Sequence, residues 1–161
     1  MNTTSRSASS SDSDVNTGNG EWKTDVGTWV WAKPLIENGV VFVSGLDGSI
    51  HALDEITGSE RWSTSIEGQI VSAPTLFDRK RGDTRERALA VPSSEKNVWV
   101  VSVIDGQPLG VFLTDEPVKS TPLIYGDKLY ANTLNGDLKW FTVDDTNQRG
   151  CVDLKDGGLC D

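Results

Sequence analysis

The sequence predicts an all-β fold, a partial β-propeller of about three four-stranded antiparallel blades, and three observations lead there. Runs rich in β-branched and aromatic residues, such as Val40 to Val43 and Ile50 to Leu53, are separated by Asn38-Gly39 and Asp47-Gly48, dipeptides that tolerate the positive φ of tight hairpin turns. The pattern recurs every 40 to 48 residues, a period typical of propellers and solenoids. Helical periodicity is nearly absent.

Taken in order, residues 1–20 are rich in Ser, Thr, Asn, Asp and Gly, with Val15 the single β-branched aliphatic. Such a segment buries too little apolar surface to offset the entropy of ordering, and a disordered Ser-rich tail is predicted. It has no apolar stretch of signal-peptide length, and nothing in the chain approaches the length of a membrane span. The propeller repeats are placed at 21–154 and a short C-terminal tail at 155–161.

The repeat frame rests on several equal spacings. Trp22 and Trp62 lie 40 apart, as do Pro34 and Pro74, while Pro34 and Pro122 differ by 88, which also carries Leu46-Asp47-Gly48 onto Leu134-Asn135-Gly136. Predicted strands fall near 28–36, 40–45, 49–54 and 60–65 in the first unit. In the second they fall near 69–77, 87–91, 97–103 and 109–113, and in the third near 117–125, 128–133, 137–143 and 150–154. The middle unit has 8 extra residues between its first two strands, read as a polar hairpin extension over Asp78 to Arg87. Each unit opens on a proline, Pro34, Pro74 or Pro122, which has no N–H and suits a strand whose donor side faces away from the ladder.

The segment Ala52-Leu53-Asp54-Glu55-Ile56-Thr57-Gly58-Ser59-Glu60-Arg61-Trp62 resembles the tryptophan-docking repeat of quinoprotein-like (PQQ-repeat) β-propellers, Ala-x-Asp-x-x-Thr-Gly-x-x-x-Trp. In such a motif the indole of Trp62 wedges between adjacent blades. Ala52 and Gly58 leave room for a ring, while Asp54 and Thr57 satisfy turn amides. The motif is intact only in the first unit: Ser102 and Gly110 replace Asp54 and Trp62 in the second, and Thr142, Thr146 and Gly150 occupy the Asp, Gly and Trp positions in the third. The family includes PQQ-dependent dehydrogenases and non-enzymatic, extracytoplasmic BamB-like members. Propellers close with about 4 to 8 blades, so three blades imply a fragment or a piece completed by self-association or a partner protein.

The composition narrows the function classes. A net charge of −9 argues against a nucleic-acid surface. A quinone dehydrogenase of the resembling family requires calcium, a catalytic aspartate and, in its alcohol-oxidising members, adjacent cysteines. Cys151 and Cys160 are nine positions apart and no aspartate stands out with a supporting cation, so neither PQQ nor calcium is expected. The two cysteines are read either as a disulfide in an oxidising compartment or as two free thiols. Asp145 to Gly150 loosely follows a calcium loop, but Arg149 stands where an oxygen ligand is needed, and a hairpin turn is predicted. Arg81-Gly82-Asp83 is read as a solvated turn, and His51 as a packed or edge residue.

The candidate interaction surface comprises Trp29 and Trp31, expected to point the same way from an innermost strand, and the basic extension with Arg79, Arg81 and Arg85. The resemblance implies a non-catalytic protein-interaction scaffold of the cell envelope, with a fragment of a PQQ-dependent dehydrogenase as the alternative.

Overall fold

The computed structural model describes residues 22–160. The predicted Ser-rich tail, 1–20, lies outside them. Twelve strands form three four-stranded antiparallel sheets, each a simple meander in which sequence neighbours pair. The first blade is β1 (Leu35–Glu37), β2 (Val40–Ser44), β3 (Ser49–Asp54) and β4 (Glu60–Ser65). The second is β5 (Thr75–Arg81), β6 (Thr84–Ser93), β7 (Asn97–Ser102) and β8 (Pro108–Leu113). The third is β9 (Leu123–Tyr125), β10 (Lys128–Asn132), β11 (Asp137–Thr142) and β12 (Asp145–Asp153). The sheets make an open arc of three blades rather than a closed ring.

Two-residue side-chain periodicity explains how the sheets stack. In β6, Leu89 and Val91 turn toward the first blade and join Phe42, Ile50, Ala52 and Ile70 in one buried cluster. Ala88 and Ala90 turn the other way, with Val98, Val100 and Phe112, to meet Leu129, Ala131 and Phe141 of the third blade. The middle blade is therefore covered on both faces and reads as a continuous apolar run, Ala88-Leu89-Ala90-Val91, each fully buried. Each large aliphatic or Phe side chain so buried contributes roughly 1.5–3 kcal/mol. These two junctions are the core.

The innermost strands are shorter than predicted. Residues 28–34 form no strand, and pairing begins only at Leu35. Proline marks the boundary: Pro34, Pro74 and Pro122 each immediately precede the first paired residue of their strand, and a residue lacking an N–H offers the ladder no donor. The extra residues of the middle unit form the expected hairpin extension, a lengthened β5–β6 ladder running out to Arg81 opposite Thr84. This ladder touches both neighbours. Arg87 reaches Glu37 of the first blade at 3.2 Å, and Arg85 reaches Asp144 of the third at 3.4 Å.

Two expectations at the C-terminal end are corrected. Asp145 to Gly150 is strand, paired with β11 across a bulge at Phe141/Thr142, and the turn lies before it. Residues 155–160 are not a free tail: they fold back so that Leu159 bridges Val152 and Cys160 joins Cys151 in a disulfide with Cα atoms 5.5 Å apart.

Candidate functional site

The segment from Ala52 to Trp62 builds a turn and a latch. Asp54 Oδ1 accepts the N–H groups of Ile56 at 3.0 Å and Thr57 at 2.9 Å and the Thr57 hydroxyl at 3.0 Å. Arg61 donates to Asp54 Oδ2 at 2.7 Å. The Arg61 guanidinium, followed by the Thr57 donors, holds the Asp54 carboxyl well below its ordinary value. Gly58 closes the turn at φ 67°, donating to the Asp54 carbonyl at 2.8 Å.

The glycine of each such turn is a seat for an indole. A Cβ on Gly58 would collide with Cε3 and Cδ2 of the Trp22 ring, and Trp22 Nε1–H donates to the Glu55 carbonyl at 2.9 Å. One blade on, Trp62 lies over Gly106, where a Cβ would come within 2.5 Å of Cε3, and donates to the Val103 carbonyl at 3.1 Å. Its ring also tilts against Phe42 at a centroid distance of 5.8 Å. Ala52 sits directly opposite Trp62 in the sheet, small beside large.

The third blade solves the same problem differently. Gly110, opposite Val100, stands where Trp62 does, and a groove of about 410 Å³ opens between β8 and the third blade around Val143 and Asn147. At the far end Trp140 stands opposite Gly150 and folds over it, with Lys128 Nζ 4.2 Å above the ring centroid. The Ala–Trp pair of the first blade has become Trp–Gly, the indole moving one strand inward. The Asp turn also recurs where the sequence reading missed it. Asp153 Oδ1 accepts the Lys155 N–H at 2.7 Å and the Gly157 N–H donates to the Asp153 carbonyl at 2.8 Å. The signal was present as Val152-Asp153 with Gly157 four residues later, matching Leu53-Asp54 with Gly58.

The candidate interaction residues divide into two groups. Trp29 and Trp31 are 75% and 71% exposed, on the connecting segment rather than on a strand, with the Trp29 carbonyl accepting the Leu46 N–H. Trp31, Pro34, Leu35, Pro74 and Leu76 border an open groove of about 540 Å³ along the inner rim. The arginines are engaged within the chain: Arg79 and Arg81 approach Glu86 at 3.5 and 3.3 Å, and Arg85 approaches Asp144. Arg79 and Arg81 pair within the β5–β6 hairpin, and Arg85 alone of the three reaches another blade. Trp29 and Trp31 are not brought together with them by any hydrogen bond.

The remaining chemistry-bearing groups are structural in their contacts. His51 lies between Glu60 at 2.7 Å and Ser49 at 3.1 Å, and it is the first cause of a lowered Glu60 carboxyl. Asp137, Cys151 and Cys160 come within 4.8 Å of one another, but the two sulfurs are bonded to each other and offer no thiolate. Asp145 accepts the Asn147 N–H and the Gln148 amide, as a strand-start residue does, not as one of a ring of oxygens around a cation.

Stacked four-stranded meanders with an indole seated on the next turn's glycine define a β-propeller repeat protein. The family model described as outer membrane protein assembly factor BamB matches residues 6–157, and the chain belongs to that family. It is 31% identical over 130 residues to the outer membrane protein assembly factor BamB of Shewanella oneidensis, covering 73% of this chain and 32% of that protein. Against the same factor of Vibrio cholerae it is 30% identical over 126 residues, covering 68% of this chain and 30% of that protein. The crystal structure of BamB from Moraxella catarrhalis superposes with a TM-score of 0.63 at 12% identity, over 88% of this chain and 52% of that one, which shows the shared fold. This chain thus spans about a third of the length of those two relatives.

Proposed function

We propose that the chain is a non-catalytic, BamB-like propeller module that serves as a protein-interaction scaffold in the cell envelope. The observation that carries this reading is the membership of a family named for outer membrane protein assembly. The geometry is consistent with it. Side chains of the kind that do chemistry are committed to turns, ion pairs and a disulfide, whereas large aromatic and aliphatic groups stand in solvent: Trp29, Trp31, Ile36, Leu123 and Tyr125 are each more than half exposed. Large exposed apolar groups of this kind anchor protein contacts more often than they serve catalysis.

In this reading Trp29 and Trp31 are the anchors of the contact, Arg79 and Arg81 stiffen the β5–β6 hairpin through Glu86, and Arg85 ties that hairpin to the third blade through Asp144. The blade-docking residues Ala52, Asp54, Thr57, Gly58 and Trp62 set the angle between blades. A protein partner, or further blades, covers the open end of the arc. Among the described residues no helix is long and apolar enough to cross a membrane. An extracytoplasmic location is supported by the family alone.

Crosslinking from native envelopes followed by affinity capture tests the proposal. Wild type is expected to recover a specific protein that the Trp29→Ala/Trp31→Ala double variant loses while keeping its melting temperature. Recovery of no specific partner, or identical recovery with the double variant, contradicts it.

A further inference from the structure

His51, the one histidine of the sequence, is a middle link in a hydrogen-bonded chain of four side chains. Its Nδ1 lies 2.7 Å from Glu60 Oε2, its Nε2 lies 3.1 Å from Ser49 Oγ, and Ser49 Oγ lies 2.6 Å from Asp47 Oδ1. The His51 side chain is only 12% exposed. The two-residue period of β3 puts Ser49 and His51 on the face of the first blade that points away from the second, because Ile50 and Ala52 enter the core between those blades.

The form of the ring follows from the hydrogens available. The Ser49 hydroxyl, the first cause, holds the Asp47 carboxyl below its ordinary value, and His51 does the same for Glu60, so both ends of the chain are carboxylates that can only accept. Ser49 has a single hydroxyl hydrogen, and at 2.6 Å it goes to Asp47. The contact between Nε2 and Ser49 is then a hydrogen bond only if Nε2 carries a hydrogen, and the contact with Glu60 needs another on Nδ1. All three bonds exist together only with the imidazolium. A neutral ring gives one of them up: either Ser49 turns its hydrogen to Nε2 and leaves Asp47, or Nε2 faces the Ser49 oxygen with no hydrogen between them.

The Asp47 end is where the exposed tryptophans are tied down. Asp47 and Ser49 belong to the β2–β3 turn, in which Asp47 also accepts the Ser49 N–H at 3.0 Å and the Leu46 N–H donates to the Trp29 carbonyl at 2.8 Å. Thr28 packs on the same turn, since a Cβ on Gly45 would collide with Thr28 Cγ2, Ser49 Oγ and Asp47 Oδ1. Around the ring, β2 sets Val43 opposite His51, while β4 supplies Ser63, which donates to Glu60 Oε1 at 3.0 Å, and Arg61, which turns to Asp54. Lys23, Asp25 and Lys33, the charged groups of the segment before β1, make no hydrogen bond or ion pair with His51, Glu60 or Asp47 among the described residues.

We propose that the Glu60–His51–Ser49–Asp47 chain is a proton-dependent clasp: the imidazolium holds the β2–β3 turn and the Thr28–Trp29 segment upon it, and loss of its proton as the pH rises loosens that segment. The device goes beyond the scaffold reading, and its consequence there is tighter capture through Trp29 and Trp31 at the acid end of the range. It is read on the free chain, so a failure to recover a partner does not bear on it.

Nitrogen-15 NMR of the full chain between about pH 5 and about pH 8, where imidazoles change charge, is the test. The His51 ring nitrogens are expected to show an imidazolium at the acid end and a neutral ring at the other. Protection of the Leu46 amide against exchange, corrected for intrinsic base catalysis, is expected to fall about fivefold over the same step, as the loss of one ordinary hydrogen bond gives. In His51→Gln this protection is expected to stay constant with pH, and in Ser49→Ala the ring still titrates while Leu46 no longer follows it. A ring that keeps one protonation state throughout, Leu46 protection that ignores the ring, or an equal response of Leu46 in Ser49→Ala would overturn the proposal. The wild-type titration needs no variant, so a folding defect in either one leaves the proposal falsifiable.

Discussion

A glycine under an indole is the most sharply testable feature of the junctions. Gly106 has φ 72° and supports the Trp62 ring, so Gly106→Ala carries two separable costs. Placing an L residue in the left-handed region costs about 1 kcal/mol. Driving a methyl group into a ring that must shift costs a further 2 kcal/mol or so, making about 3 in all. Trp62→Ala removes a half-buried indole and its hydrogen bond to Val103, at the low end of the range for aromatic truncation, about 3 kcal/mol. In the double variant the steric term has no partner and only the backbone term is added, so the pair costs about 4 kcal/mol rather than about 6, a coupling of about 2. Urea denaturation of the four proteins at one pH, followed by far-ultraviolet circular dichroism, measures each value. Additivity within about 0.5 kcal/mol would refute the seating of Trp62 on Gly106.

Further outcomes follow from other contacts. The Cys151–Cys160 disulfide closes a sequence separation of 9, and its loss in Cys151→Ser is expected to cost about 2.7 kcal/mol by loop entropy, with the melting temperature of wild type, but not of the variant, falling on addition of reductant. The Arg61 guanidinium holds the Asp54 carboxyl below the ordinary carboxylate range in the folded state, so its contribution is present above the unfolded-state pKa and is lost as the pH falls toward the depressed folded one. Asp54→Asn should therefore be less stable than wild type at pH 6 and should lose less than wild type does between pH 5 and pH 3, as read by urea midpoints. Arg85→Ala breaks an exposed pair with Asp144 and is expected to cost under about 1 kcal/mol, less still in high salt. Addition of pyrroloquinoline quinone and calcium is expected to leave the melting temperature unchanged and to give no dye reduction with alcohols or sugars.

The blades were legible because burial on one or both faces writes itself into the sequence with a period of 2, and because Asn-Gly and Asp-Gly mark where the chain reverses. β2, β3, β4, β7, β10 and β11 fall within a residue or two of their predicted limits. The innermost strands were overdrawn because apolar residues such as Val30 and Val71 carry β propensity while the following proline withdraws a donor, and the sequence pattern does not say which wins. The Asp153 turn was missed because an alignment fixed on 88-residue spacing carries Gly58 to Thr146. The turn lies one strand later, after β12, where no tryptophan follows to draw attention to it. The arginines of the middle hairpin read as a free basic patch because strand pairing is what brings Arg79 and Arg81 onto Glu86, while the partners of Arg85 and Arg87, Asp144 and Glu37, are distant in sequence and come close only when the blades stack.

The central claim is that an indole from one blade is locked onto the next while other indoles stand free for a partner. Solvent exchange at the six tryptophan Nε1–H groups, followed by nitrogen-15 NMR, tests it most directly. Trp62 is expected to exchange far more slowly than Trp29 and Trp31, which should exchange at the rate of free indole. Exchange at Trp62 as fast as at Trp31 would contradict the account.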